Sequence, residues 1–348
     1  LNQGFVTEGR FIALPLSVWD ECRPLPPDAC YIRTLFESPA TGWVYGATTG
    51  TACHIFVTAS RGASGGTLDL GVLPYAADVV SMLTVDSSVD RHEELLIAAN
   101  GPDGCALFRT RVAFPADVVQ EPSFRQPEIE LLWEDHSQLW MGAGVVCPEG
   151  AQLLTDCGIV VYDVVSGEVS LCREFDDTEV PVSRNGTCGS GLGLIWLDRA
   201  GALRGFAPET EDLFIVPGCL PEPEQVACVC GYHVGAVIAD SDGGVHWARF
   251  DAGACREVAR TVLPDIQCMT ALVDGRAYGV CGNGIGHFFR INIEQHVAHD
   301  LGAIVSVVGT KRYGLEFSCA ITGVQGDIYL GERDRGGHLW LYQPPLNV

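Results

Sequence analysis

The chain has 348 residues, with 44 Asp and Glu against 21 Lys and Arg, a formal net charge of -23, and 47% hydrophobic residues. This is a globular composition with an acidic surface, and so negative a charge repels nucleic-acid phosphates and anionic lipid over any long range. No run of about 18 apolar residues is present to cross a membrane, and no basic start leads into an apolar run with a cleavage site, so a soluble chain is expected. The compartment expected is periplasmic or extracellular in preference to cytoplasmic.

In chain order, the first alternating segment is RFIALPL, Arg10 to Leu16, which reads as a solitary strand. ECRPLPPDAC follows, a Pro-rich loop whose ends, Cys22 and Cys30, could close a local disulfide. There are fifteen cysteines, an odd number, so complete intramolecular pairing is excluded. Their spacing lacks zinc-site pairs: Cys228 and Cys230 form a C-x-C with no second pair at finger distance. Burial is the default for thiols in apolar runs.

From Tyr45 the chain begins to repeat. YGATTGTACHIF (Tyr45 to Phe56) places a histidine nine residues after a tyrosine, with an aromatic residue two further on. IAANGPDGCALF, from Ile97, keeps the shape with Ala106 at the histidine position. LLTDCGIVVYDV, from Leu153, and LIWLDRAGALRG, from Leu194, put Tyr162 and Leu203 there. VIADSDGGVHWA, from Val237, restores the histidine as His246. YGVCGNGIGHFF (Tyr278 to Phe289) and YLGERDRGGHLW (Tyr329 to Trp340) match the first copy without gaps, at His287 and His338. The reference positions lie 41 to 56 residues apart, and seven such units fill the chain.

Each unit reads as four short strands, because β-branched and aromatic runs are broken at regular intervals by Gly, Asp, Asn and Pro, and no segment carries a capped helical period. Seven four-stranded units make an all-β, seven-bladed β-propeller. A single domain over 1–348 is expected, with blades near 29–73, 78–134, 138–175, 182–217, 225–263, 266–304 and 313–343. The last of these supplies three strands and takes 10–16 as its fourth, which clasps the ring.

The whole chain resembles the seven-bladed β-propeller superfamily. Its YGATTG...HIF and IYLGERDRGGHLW units look like repeats of bacterial propellers that include polysaccharide lyases. The resemblance implies a carbohydrate-active propeller with its ligand at the channel mouth. The Gly-His and Trp-Asp signatures of WD repeats and the paired glycines of kelch repeats do not recur blade after blade.

Recurrence separates residues that serve the blade from residues that serve a site. His54, His246, His287 and His338 read first as hydrogen-bonding props of their turns, with a metal cluster across adjacent blades as the weaker alternative. Cys268 and Cys319 share a register ten residues before Tyr278 and Tyr329; with Cys30, Cys188, Cys228 and Cys230 they bring small side chains, or a soft-metal site, towards the axis.

Loops entering the first strands and turns joining the second and third share one face. On that face the cationic candidates for holding an anionic saccharide are Lys311, Arg312, Arg333, Arg335, Arg184 and Arg199. Tyr313 and His136 are the candidates for base and acid in β-elimination at a uronate, with no cofactor required. The competing expectation is a noncatalytic propeller serving as a protein-binding or assembly subunit, with Ala113 to Pro127 as a docking element. Other chemistries lack a foothold: GSGLG (Gly189 to Gly193) precedes a strand, and C-x-x-C-H is absent.

Overall fold

The structure is a computed structural model. It describes residues 6, 8–18, 23–24, 30–59, 67–74, 78–86, 92–113, 127–147, 150–182, 187–189, 193–220, 222–272, 274–307, 311–334 and 337–345. Among them the only helical segment is one 3-10 turn, Pro223–Gln225, and everything else regular is strand. Among the described residues no helix is long and apolar enough to cross a membrane.

The blade strands form seven sheets of four or more strands, antiparallel within each four-stranded blade and each with its first strand innermost. Blade 1 is Tyr31–Glu37, Trp43–Thr49, His54–Ala59 and Thr67–Val72; blade 2 is Asp78–Asp86, His92–Gly101, Gly104–Ala113 and Ile129–Asp135. Blade 3 is Trp140–Cys147, Gly150–Thr155, Gly158–Asp163 and Val169–Glu174; blade 4 is Thr187–Gly189, Gly193–Leu197, Leu203–Ala207 and Asp212–Val216. Blade 5 is Val226–Tyr232, Gly235–Asp240, Gly244–Arg249 and Ala254–Arg260; blade 6 is Cys268–Ala271, Arg276–Cys281, His287–Asn292 and Val297–Ala303. Blade 7 is Phe317–Thr322, Ile328–Glu332 and His338–Gln343, completed by Arg10–Pro15. The seven inner strands touch one another in a closed ring.

Period-two alternation explains why a ring forms. In Gly193–Leu197, Ile195 and Leu197 pack towards blade 5 while Leu194 and Trp196 pack towards blade 3, so the whole strand is buried. The same division repeats, and the buried side chains fall into seven apolar clusters, one at each blade interface. Outer strands cover only one face. Val169–Glu174 is mostly exposed for that reason.

Ring closure runs through the N-terminal strand. Arg10–Pro15 pairs antiparallel with His338–Gln343, from Arg10 opposite Gln343 to Pro15 opposite His338. Phe11 seals the joint against Phe288 and Tyr342, each with ring centroids 4.9 Å away. Beyond the expected four strands, Val305–Ser306 joins the outer edge of Arg10–Pro15 in parallel, and Arg312–Tyr313 pairs with it. The link from blade 6 to blade 7 thus widens this sheet to six strands.

Pairing refines the repeat. Tyr45, Tyr278 and Tyr329 stand opposite Val57, Arg290 and Leu341, in each case three residues past the histidine. In blade 5 Val237 faces Trp247, one residue past His246, because the turn between its second and third strands is shorter. Tyr162 departs most from the expected position: it lies opposite Ala151, far from a turn that begins after Thr155 and ends before Gly158. Turn length sets hairpin register, and a gapless alignment cannot see it.

Candidate functional site: the loop face and the axial cavity

Antiparallel strands put the turns between second and third strands, and the links into first strands, at one end of every blade. Acids at or near these turns are occupied by the recurring histidines. His54 Nδ1 lies 3.1 Å from Asp69 Oδ2, and His287 Nδ1 lies 3.2 Å from Asp300 Oδ1, both acids belonging to the fourth strand of the same blade. His246 Nε2 lies 3.1 Å from Asp240 Oδ2, and His338 Nδ1 lies 2.7 Å from Glu332 Oε2, these acids closing the second strand. Each acid also accepts a backbone N–H of its own blade, from Gly71, Gly302, Gly244 and His338 respectively. Blade 4 uses arginine instead, with Arg204 Nε donating to Asp198 Oδ2 at 2.7 Å. A buried polar group is held by such partners: His246 and His338 brace their turns, while His54 and His287 tie the third strand to the fourth. Among the described residues no group of three or more His, Cys, Asp or Glu is arranged to hold a metal ion.

The candidate site residues separate into distinct places. His136 lies in the link from blade 2 to blade 3, its Nδ1 2.8 Å from the Asp103 carbonyl, beside a cavity of about 210 Å³ lined also by Cys105, Ala106, Phe108 and Glu134. Neighbouring Asp135 accepts hydrogen bonds from the Ser137 hydroxyl and amide and from Gln138, which hold its carboxyl below the usual range. Arg199 is exposed on the blade 4 turn. Lys311, Arg312 and Tyr313 lie together at the outer edge of the blade 7 sheet, the lysine Nζ 4.8 Å from the centre of the Tyr313 ring. Arg333 is tied to the end of the same link, its amide donating to the Glu316 carbonyl at 2.8 Å. Tyr313 and His136 therefore belong to different blades, and Tyr313 is in the wall of neither the cavity beside His136 nor the one on the channel axis. Arg184, Arg335 and nearly all of the 113–127 segment fall outside the described residues, as does Cys22.

The channel axis holds a cavity of about 240 Å³. Cys228, Cys268 and Cys319 line it at one register, opposite Ala239, Val280 and Gly331, each two residues after the reference position of its blade. Cys230 points away to donate to the Met269 carbonyl at 2.8 Å, and Cys30 belongs to the core between blades 7 and 1. Polar neighbours in the wall are bonded to the scaffold. Thr34 donates to Val79 O at 2.7 Å, Gln267 donates to Gly282 O and accepts from Phe317 N, both at 2.6 Å, and Arg33 Nε meets Asp78 at 3.0 Å. The described wall contains a guanidinium and thiols but no carboxylate or imidazole.

Burial makes most thiols unreactive. Desolvation, with smaller contributions from nearby Asp78, Asp135 and Asp300, pushes Cys53, Cys105 and Cys281 up to about 12. Well below its pKa, a thiol loses thiolate tenfold for every step of one by which that pKa rises. These three should therefore alkylate roughly a thousandfold slower than an ordinary thiol at about pH 8. A brief iodoacetamide pulse followed by peptide mapping should find exposed Cys157 labelled and these three untouched. Equal labelling rates would show that the blade interfaces open readily.

One corner of the loop face presents apolar side chains to solvent. Ile285, Val307, Tyr313 and Leu315 are 47%, 64%, 42% and 39% exposed. The backbone joins them: Gly286 N donates to Gly314 O and Ile304 N to Gly286 O, each at 3.0 Å. Lys311, Arg312 and Arg333 border the same corner. Apolar residues inside the Gly-rich turn and the blade 6 to 7 link are the signal that the sequence holds for this corner, and a reading that follows charge alone passes over them.

No family model matches the chain, and no curated protein matches it in sequence. Solved structures do match in shape. The extracellular domain of the putative one-component system BT4673 from B. thetaiotaomicron superposes with a TM-score of 0.56 at 11% identity, over 96% of this chain and 40% of that one. The extracellular domain described as a putative hybrid two-component system BT4673 gives 0.58 at 10% identity, over 95% and 39%. The WD40 β-propeller domain of Doa1 gives 0.55 at 10% identity, over 91% and 94%. The chain thus spans about two fifths of the first two proteins. At such identities the likeness is one of fold.

Proposed function

We propose that the protein is a noncatalytic propeller whose loop face docks an acidic, partly apolar segment of a protein partner at the corner between blades 6 and 7. The observation that carries this reading is the exposure of Ile285, Val307, Tyr313 and Leu315 beside Lys311, Arg312 and Arg333, in a chain whose net charge is -23. Contiguous exposed apolar side chains lose free energy to water that a partner recovers by covering them. A local cationic border in an acidic protein selects for carboxylates and speeds their encounter. β-Elimination at a uronate asks more: a base and an acid must flank one sugar ring, and the candidates for those roles stand on different blades.

Selection of a random displayed-peptide library against the full chain tests the proposal. Binders should be rich in Asp and Glu interleaved with apolar residues. Arg312→Glu combined with Arg333→Glu should weaken them at least about tenfold, roughly the loss of one or two charge pairs, while Arg199→Glu leaves them unchanged. Binders indifferent to the corner, or unsaturated uronate products released from an acidic polysaccharide, would overturn it.

A further inference from the structure

Thiols meet across blades 4 and 5 in a way that the axial row does not. Cys219 follows the outer strand of blade 4 and is 5% exposed, its amide held 2.7 Å from the Gly201 carbonyl. Cys255 sits in the outer strand of blade 5, opposite Ala248, and is partly open to solvent. Its Sγ lies 3.6 Å from the carbonyl oxygen of Cys219 itself, and both residues belong to one apolar cluster. We infer that Cys219 and Cys255 form an intramolecular disulfide when the protein meets a disulfide oxidant.

The two thiols differ in a way that orders the steps. Cys219 Sγ donates to the Val216 carbonyl at 3.3 Å and is pushed up by the neighbouring Cys255 thiol and by burial, whereas Cys219 in turn lowers Cys255, so the more accessible sulfur is the first to react. The Cys255 thiolate attacks one sulfur of glutathione disulfide and expels a glutathione thiolate, leaving a mixed disulfide on Cys255. Cys219 loses its proton and attacks the Cys255 sulfur, expelling the second glutathione. Two protein thiols become one disulfide, and their two electrons and two protons pass to glutathione disulfide, which leaves as two molecules of glutathione. Cys228 and Cys230 do not compete well: they sit two residues apart on one strand, where bridging needs backbone distortion. The Cys219–Cys255 bond would tie the exit of blade 4 to the outer wall of blade 5, and constrain the unfolded chain between them.

The test is non-reducing peptide mapping of the full chain after equilibration in glutathione buffers of graded poise, acid quenching and alkylation with N-ethylmaleimide. The expected result is a peptide pair linked through Cys219 and Cys255, with the oxidised protein melting a few degrees above the reduced form. Cys219→Ser should accumulate glutathione on Cys255 and lose the melting shift. Recovery of both cysteines alkylated at the most oxidising poise, or either of them linked to a different cysteine, would overturn the assignment. The wild-type map decides the matter even if the serine variant folds poorly.

Discussion

Asp198→Ala should destabilise the protein by about 3–5 kcal/mol, the cost of taking the closer of two carboxylates from a buried cation and the acceptor from its turn. Asp198 is fully buried, and its carboxylate makes three bonds: Oδ1 accepts from the amides of Ala200 and Ala202, both at 2.9 Å, and Oδ2 accepts from Arg204 Nε. Arg204 is itself 8% exposed, with Glu179 Oε1 at 3.4 Å and the Thr178 carbonyl at 3.2 Å as its other partners. Alanine would remove the turn's acceptor and half of the guanidinium's compensation together. Asp198→Asn retains an acceptor for the turn, so it should lose less, roughly 1–3 kcal/mol. Urea unfolding of the three proteins measures this series. A loss below about 1 kcal/mol for alanine would mean that water reaches Arg204 and replaces the carboxylate.

Phe11→Ala should cost a similar amount, about 3–5 kcal/mol, and act on one seam of the ring. The Phe11 ring packs edge-on against Phe288 and Trp340 and tilted against Tyr342, so truncation leaves a cavity among three large side chains that cannot all move inward. Hydrogen exchange should therefore speed up in Arg10–Pro15 and in its partner His338–Gln343, while blades 3 and 4 retain their protection. A uniform loss of protection around the ring would show that blades melt as one unit, and unchanged exchange would show that the clasp stands without its aromatic seal.

The histidine repeat shows how far a sequence can be read. Copies with equal turns, at His54, His287 and His338, are legible because an unbroken spacing maps to an unbroken geometry. Copies with shorter turns are misplaced by it, as Tyr162 is, because register follows hairpin length and sequence similarity does not report it. The bracing role of the histidines can be argued from recurrence, but the acid each one meets cannot. Two come from fourth strands and two from second strands, at separations of 15, 13, 6 and 6 residues. Tyr313 shows the limit for the site. A position just before an inner strand suggests the channel mouth, whereas pairing with Val305–Ser306 holds it at the outer edge of the sheet.

By itself the sequence determined the class of fold, the number of blades and the strand that closes the ring, since these follow from period-two burial and a repeat length that are properties of neighbouring residues along the chain. Tertiary structure alone decided what meets whom. It turned Cys230 and Cys30 away from the axial row of Cys228, Cys268 and Cys319, brought Cys219 to Cys255 across blades, and gathered Ile285, Leu315 and Arg333 at one corner. Those neighbours come from different blades, and their distances depend on how each turn and bulge rotates one sheet against the next.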